Sequence, residues 1–356
     1  MSHDHPWKRR DFLKGAGLGL GALALGGKPA LATMGWSGQA AGPAAEHHFS
    51  RSQLYRKLPE TSRVSLVKGN DRYEIISQSL RMIEDDILGA IGDKKILLKP
   101  NIVLSDCPVC VTHVDAVRAV LDFLAPHYKK TILIGESGFH NTMDGFKSNG
   151  YLPLEKQYNV KIVDLNLDTF QYRYVLGLGN KPTPIRIINT FLDPDIYLIS
   201  LAVMKTHNYV FVTLALKNVL MASPLNDYKT NDKGLMHQAP PARNDLLHFN
   251  MFHMAREIYP DLAVIDGFVG VEGNGPAWGT PIASKVALAS RDPLAADITA
   301  TRVMGYDPGI VNYLTAMAEA GMGQGDPNKI RLLGTPLEQC VCKYKPNEKM
   351  AELYKL

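Results

Sequence analysis

Residues 195–221 read DIYLISLAVMKTHNYVFVTLALKNVLM. The first nine are mostly apolar and show no polar–apolar alternation. A strand with that pattern is covered on both faces, as in a parallel sheet with helices packed above and below it. The same chain then places Lys205, His207, Lys217 and Asn218 within the next fifteen residues. The first half of the stretch predicts the fold, and the second half raises the question of a site.

Working outward, similar β-rich runs recur at 63–68, 95–99, 131–135, 160–165, 262–266 and 285–289. Helical spacing of apolar residues falls between several of them, at 73–91, 112–124, 242–257 and 293–304. Thr112-x-x-Asp115 reads as a capping-box-like start for the second of these helices. Alternating β and α predicts an α/β fold with a mainly parallel, doubly wound sheet and helices on both faces. Residues 170–189 look instead like a small antiparallel excursion.

In such folds ligands bind at the carboxyl ends of strands. Four expected strands end in polar residues here: Lys99-Pro100-Asn101, Glu136-Ser137, Lys205-Thr206-His207, and Asp266 followed by Glu272 and Asn274. Together they predict one polar mouth. Lys205, Lys217, His207 and His237 are its candidate catalytic groups. Lys99, Asn101, Asn218, Glu272 and Asn274 are candidate ligand contacts, because ammonium and amide donors suit an anion. Glu136 and Asp266 supply opposing charge, as orienting carboxylates or as hard-metal ligands. The competing reading is a buried ion-pair network that closes the sheet.

Other histidines are His113, His140, His248 and His253. His248 and His253 lie five apart, a poor helical pair for a shared metal. His237 follows a loop of lid-like composition, 226–233. The glycine-dense 270–279 (GVEGNGPAWG) has neither phosphate-loop nor dinucleotide spacing. Its backbone N–H groups suit an anion, or its glycines simply make tight turns.

The four cysteines form two pairs, Cys107-x-x-Cys110 and Cys340-x-Cys342. Three readings stay open: disulfides, a redox-active pair before the helix at Thr112, or four thiolates on a zinc or iron–sulfur centre.

The N-terminus reads as an address. KRRDFLK (8–14), a Gly/Ala/Leu run over 15–27 and Ala30-Leu31-Ala32 have the order of a twin-arginine leader with its cleavage site. The apolar run is too short to span a bilayer, which takes about 20 residues. The net charge of +4 belongs mostly to this leader, since residues 33–356 hold 34 basic and 33 acidic side chains. That near-balance gives no nucleic-acid or membrane-surface patch. The expected layout is a leader over 1–32, a linker over 33–62, an α/β domain over 63–335 and a tail over 336–356.

Taken in order, LLKPN (97–101), THVDAVRAV (112–120), GES (135–137), the 204–220 stretch, Met236-His237, AVIDGFVGVEGNGP (263–276) and LASRDPLAADITATRVMG (288–305) carry a family resemblance. The set resembles the DUF362 family of bacteria and archaea over roughly residues 64–333. Some members carry ferredoxin-type 4Fe–4S segments. This chain has no C-x₂-C-x₂-C-x₃-C run, so that role does not carry over directly. A more distant similarity is to the catalytic lobe of nickel-dependent lactate racemases, which also uses lysine and histidines. Their glycine-rich stretch before the lysine is not evident here.

Three functions follow as expectations for an exported monomer or dimer. The first is an enzyme acting on a small anionic substrate by Lys/His acid–base chemistry, with or without a divalent metal. The second is an Fe–S or thiol redox protein using the cysteines. The third is a periplasmic protein that binds a small anion or a metal.

Overall fold

The computed structural model describes residues 60–355 apart from 104–106, 140, 228 and 238–244. The expected leader therefore lies outside the described residues, as does His140.

The strands are β1 (Ser62–Lys68), β2 (Lys95–Lys99), β3 (Ile132–Glu136), β4 (Val160–Asp164), β5 (Phe170–Leu176), β6 (Pro182–Ile188), β7 (Ile196–His207), β8 (Phe211–Thr213), β9 (Leu262–Glu272), β10 (Thr280–Ile282), β11 (Val286–Ser290) and β12 (Ile330–Gly334). The helices are α1 (Arg72–Arg81), α2 (Glu84–Ile91), α3 (Val114–Leu124), α4 (Thr142–Ser148), α5 (Leu154–Gln157), α6 (Ala215–Leu220), α7 (Asp232–His237), α8 (Asp245–Ala255), α9 (Pro293–Val303), α10 (Asn312–Glu319), α11 (Leu337–Cys340) and α12 (Glu348–Tyr354).

Among the described residues ten strands form one sheet in the order β12-β1-β11-β9-β7-β2-β3-β4, with β8 on β7 and β10 on β9. The pairs from β9 across to β4 are parallel, as is β1 with β12, while β11 runs antiparallel to both its neighbours. β5 and β6 form a separate antiparallel pair at the expected excursion. The fold is thus α/β, with a mainly parallel central sheet.

The strand pleat sorts the core into two layers. Tyr197, Ile199 and Leu201 of β7 face a cluster built with α1, α2 and α3. Ile196, Leu198 and Ala202 face the opposite cluster with α6, α8, α9 and α10. Because successive side chains of a strand point to opposite faces, a strand buried on both faces must be apolar throughout. All twelve residues of β7 are buried; Ile196–Met204 are apolar apart from Ser200, and the polar Lys205, Thr206 and His207 are buried at its end.

Several local expectations are corrected. The helix expected over 73–91 is two helices, because Ile83 leaves the helical conformation and buries its side chain in the core. His113, not Thr112, caps α3: its Nδ1 accepts from the Asp115 N–H, whereas the Thr112 hydroxyl joins Asn101 N–H to the Leu201 carbonyl. β7 does not stop at Ala202 but runs on to His207. β9 runs on to Glu272, so Asp266 lies within a strand and not at its end.

Candidate active site: a half-satisfied cationic cavity

The extension of β7 is what builds the site. A register shift against β9 between Val203 and Lys205 re-aims the end of β7, as bulges do. β8 then folds back antiparallel and sets Thr213 opposite Lys205. The return needs Phe211 at a φ of 68°, a left-handed conformation that bulky residues rarely adopt. The Phe211 ring packs edge-on against Tyr354, with centroids 4.5 Å apart, and this contact holds the turn.

α6 follows directly. Its first N–H groups, of Ala215 and Leu216, donate to the two carboxylate oxygens of buried Asp297 at 2.9 and 3.0 Å. Burial pushes this carboxyl up to about 8, opposed by the two N–H donors. Asp297 thereby seats the helix whose Lys217 and Asn218 reach the mouth. These elements and the ends of β2 and β3 enclose a cavity of about 250 Å³ lined by Lys99, Asn101, Glu136, Lys205, His207, Thr213, Lys217, Asn218, Lys233 and His237, among others.

The polar lining divides into two parts. One part is internally satisfied. Lys99 Nζ donates to Glu136 Oε2 at 2.8 Å, to Asn218 Oδ1 at 2.9 Å and to the Pro100 carbonyl at 2.5 Å, which uses all three of its N–H groups. Glu136 also accepts from the N–H groups of Ile102 and Ser137. Asn218 Nδ2 donates to the Lys99 carbonyl and the Ser200 hydroxyl. Burial still lowers the Lys99 pKa, with Glu136 acting against it. For these three residues the ion-pair network is the better description.

The second part is unsatisfied. Lys217 Nζ has no hydrogen-bond partner among the described residues, and burial alone lowers its pKa to about 7. Lys205 Nζ donates to the Cys110 carbonyl at 2.9 Å. Its pKa also falls to about 7, through burial and then the charges of Lys217 and Lys99. The Thr213 hydroxyl and Asn101 Oδ1 are buried without partners among the described residues.

The two histidines differ in tautomer. His207 Nδ1 accepts from the Tyr209 N–H at 3.0 Å, so the neutral ring carries its proton on Nε2. His237 Nδ1 lies 2.9 Å from the Lys233 carbonyl, which can only accept, so its Nε2 is a free lone pair. The rings stack with centroids 6.2 Å apart. Burial and then the Lys217 charge lower both pKa values, His237 to about 4 and His207 well below its usual range.

The remaining candidates lie elsewhere. Asp266 pairs with Arg72 at 3.0 Å and does not line the cavity. Glu272 accepts from the Lys345 N–H, and Asn274 accepts from Asn347 Nδ2; both tie the C-terminal segment to the glycine-rich loop. His113 caps α3. His248 is buried, with Nδ1 accepting from the Tyr313 N–H. His253 stacks on Phe249.

Cys107 and Cys110 form a disulfide, while Cys340 and Cys342 are thiols. Among the described residues no group of three or more His, Cys, Asp or Glu is placed to hold a metal. Alkylation of the unfolded, unreduced chain should label only Cys340 and Cys342. Prior reduction should raise the count to four by mass spectrometry, and four labels without reduction would contradict the pairing.

Sequence reasoning missed Lys233. Its Nζ donates to Ser137 Oγ and to the carbonyls of Met221, Ala222 and Pro224, between 2.9 and 3.1 Å. In sequence it ends a lid-like loop, yet Lys233 and His237 are spaced i, i+4, which puts both on one helix face. Thr213 and Trp278 were also missed. A threonine in an apolar run and an exposed tryptophan carry no local signal.

Residues 96–302 match the family described as "Domain of unknown function (DUF362)". The thylakoid-associated protein sll1697 of Synechocystis is 27% identical over 267 residues, covering 72% of this chain and 79% of that protein. Two solved structures are similar at lower level. The lactate racemase apoprotein of Thermoanaerobacterium thermosaccharolyticum has a TM-score of 0.43 at 15% identity, covering 69% of this chain and 57% of that one. A Thermotoga maritima protein has a TM-score of 0.41 at 14% identity, covering 72% and 60%. The chain spans less than two thirds of either of these solved chains. The family match covers more than half of the sequence and contains the residues of the cavity from Lys99 to Trp278, and on that basis the chain belongs to the DUF362 family.

Proposed function

We propose that this protein is an enzyme that moves a proton on a small anionic substrate. Lys217 and Lys205 hold the anion, and His207 and His237 carry out the acid–base work. The observation that carries this reading is Lys217, a largely buried residue whose Nζ has no hydrogen-bond partner among the described residues, in one cavity with two imidazoles of opposite tautomer. An unpaired buried ammonium destabilises a fold. An anion arriving from solvent supplies its missing counter-charge.

The chemistry follows from the tautomers. His237 Nε2 accepts the substrate proton and becomes imidazolium, and the bound anion favours that charge. His207 keeps its own proton and donates a hydrogen bond from Nε2 to the substrate oxygen where negative charge develops. The lysine ammonium groups stabilise the same charge. Thr213 and Asn101 offer one neutral donor and one neutral acceptor. No step is assigned to a metal.

Deuterium uptake tests this without knowing the substrate. A panel of small carboxylates and phosphate monoesters is incubated with the protein in D₂O and followed by NMR for loss of C–H signal. Exchange should fall about 10²- to 10⁴-fold in His237→Gln, the usual range for a lost acid–base group. Undiminished exchange in that variant would overturn the assignment. Anion binding with no exchange on any member would leave a binding protein.

We further propose export before this chemistry, on the order of basic pair, apolar run and cleavage site over residues 8–32. Arg9→Lys with Arg10→Lys should retain the chain in the cytoplasm, read by immunoblot of cell fractions. Unchanged distribution would remove the export reading.

A further inference from the structure

We propose that the cavity is built for an organic anion with an aromatic-sized apolar body, its head on Lys217, Lys205, His207 and Thr213 and its body against Trp278 and Phe139. This rests on the anion-binding reading above and extends it to the substrate class.

Volume comes first. At about 30 Å³ per water in the liquid, the cavity of about 250 Å³ equals roughly eight waters. A phosphate or carboxylate head fills a minor part of that.

The distribution of polarity comes second. The cationic and hydroxyl groups are buried at strand ends and on α6. The rest of the wall includes Ile102, Val103, Phe139, Met221, Pro276 and Trp278, which offer almost no hydrogen bonds. Trp278 is 81% exposed and Phe139 46% exposed. Two large rings beside one cavity give an apolar rim, and a contiguous exposed apolar patch is a mark of a ligand-binding groove.

The third observation is that Trp278 stands on a pinned loop. The Thr206 hydroxyl donates to the Gly273 carbonyl at 2.9 Å. Gly275 lies so close to β7 that an added Cβ would meet the Thr206 carbonyl at 2.3 Å. Beside Trp278, the Ala277 carbonyl oxygen lies 3.4 and 3.6 Å from the two sulfurs of the Cys107–Cys110 disulfide. The backbone that carries Trp278 is therefore held against β7 and the disulfide, which keeps the ring's attachment point beside the cavity.

The test is calorimetry of the full chain with propanoate, 3-phenylpropanoate and 3-phenylpropan-1-ol. The phenyl acid should bind at least tenfold more tightly than propanoate. That ratio should collapse to below threefold in Trp278→Ala and persist in Trp278→Phe. Equal binding of the two acids overturns the inference and leaves the anion reading standing. Binding of the alcohol as tight as the phenyl acid keeps the apolar wall and overturns the charged head. Failure of both acids to bind overturns the two together.

Discussion

Replacing Lys217 with methionine should weaken anion binding and at the same time stabilise the fold. The side chains have similar length, so packing changes little. What disappears is a buried ammonium with no hydrogen-bond partner among the described residues. Relieving the burial that disfavours this charge recovers about 1–3 kcal/mol, whereas losing a charge-assisted contact to a bound anion weakens binding by roughly tenfold to a hundredfold. Urea unfolding and calorimetry with a carboxylate read the two effects separately. A variant that unfolds at lower urea than the parent would show that Lys217 is part of the scaffold.

The pH dependence has a definite sign. The Lys217 pKa is about 7 in the fold against an ordinary 10.5. Between those values the unfolded chain binds a proton that the folded chain does not, so stability rises with pH across that window. Below about 7 both states hold the proton and the penalty of burying the charge is complete. Lys205 and Lys233 have the same sign. Lys217→Met should therefore flatten the rise between pH 7 and 9, by up to about 1.4 kcal/mol per pH unit for one group.

Glu136→Gln should do the opposite and destabilise strongly. It leaves the Lys99 ammonium, only 1% exposed, without its carboxylate at 2.8 Å. It also weakens the acceptor for the N–H groups of Ile102 and Ser137. Breaking a buried pair by removing one partner typically costs about 3–5 kcal/mol, while replacing both partners by apolar residues is often neutral. Chemical unfolding of Glu136→Gln and of the double variant Lys99→Met with Glu136→Leu checks this. Equal stability of Glu136→Gln and the parent would mean that Lys99 finds another counter-charge. The two lysines occupy one cavity, yet Lys99 depends on a carboxylate partner whose loss destabilises, whereas Lys217 has no such partner among the described residues to lose.

Much of the fold is legible in the sequence. Mostly apolar runs without alternation, such as 195–203, demand cover on both faces, and the helices between them provide it. The β5–β6 pair is visible from its alternating, exposed pattern. Element ends are less legible. The polar residues Lys205, Thr206 and His207 look like a loop, but pairing with β8 and β9 keeps them in the strand. Asp266 looks like a strand end for the same reason, yet β9 continues past it and Arg72 neutralises it.

The sequence by itself determined the α/β layering, because periodicity and burial are properties of neighbouring residues along the chain. It also brought Lys99, Asn101, Glu136, Lys205, His207, Lys217, Asn218 and His237 forward as candidates, since polar groups at the ends of apolar strands stand where α/β folds bind ligands. Only the tertiary structure decided which of these charges are satisfied. Lys99 and Lys217 are equally basic in sequence. Lys99 ends β2 beside β3 and meets Glu136, whereas Lys217 stands on α6, where no carboxylate among the described residues pairs with it. A charged group's role depends on which partners lie within about 3 Å. Those partners come from segments distant in the chain, as Lys99 and Asn218 are separated by 119 residues.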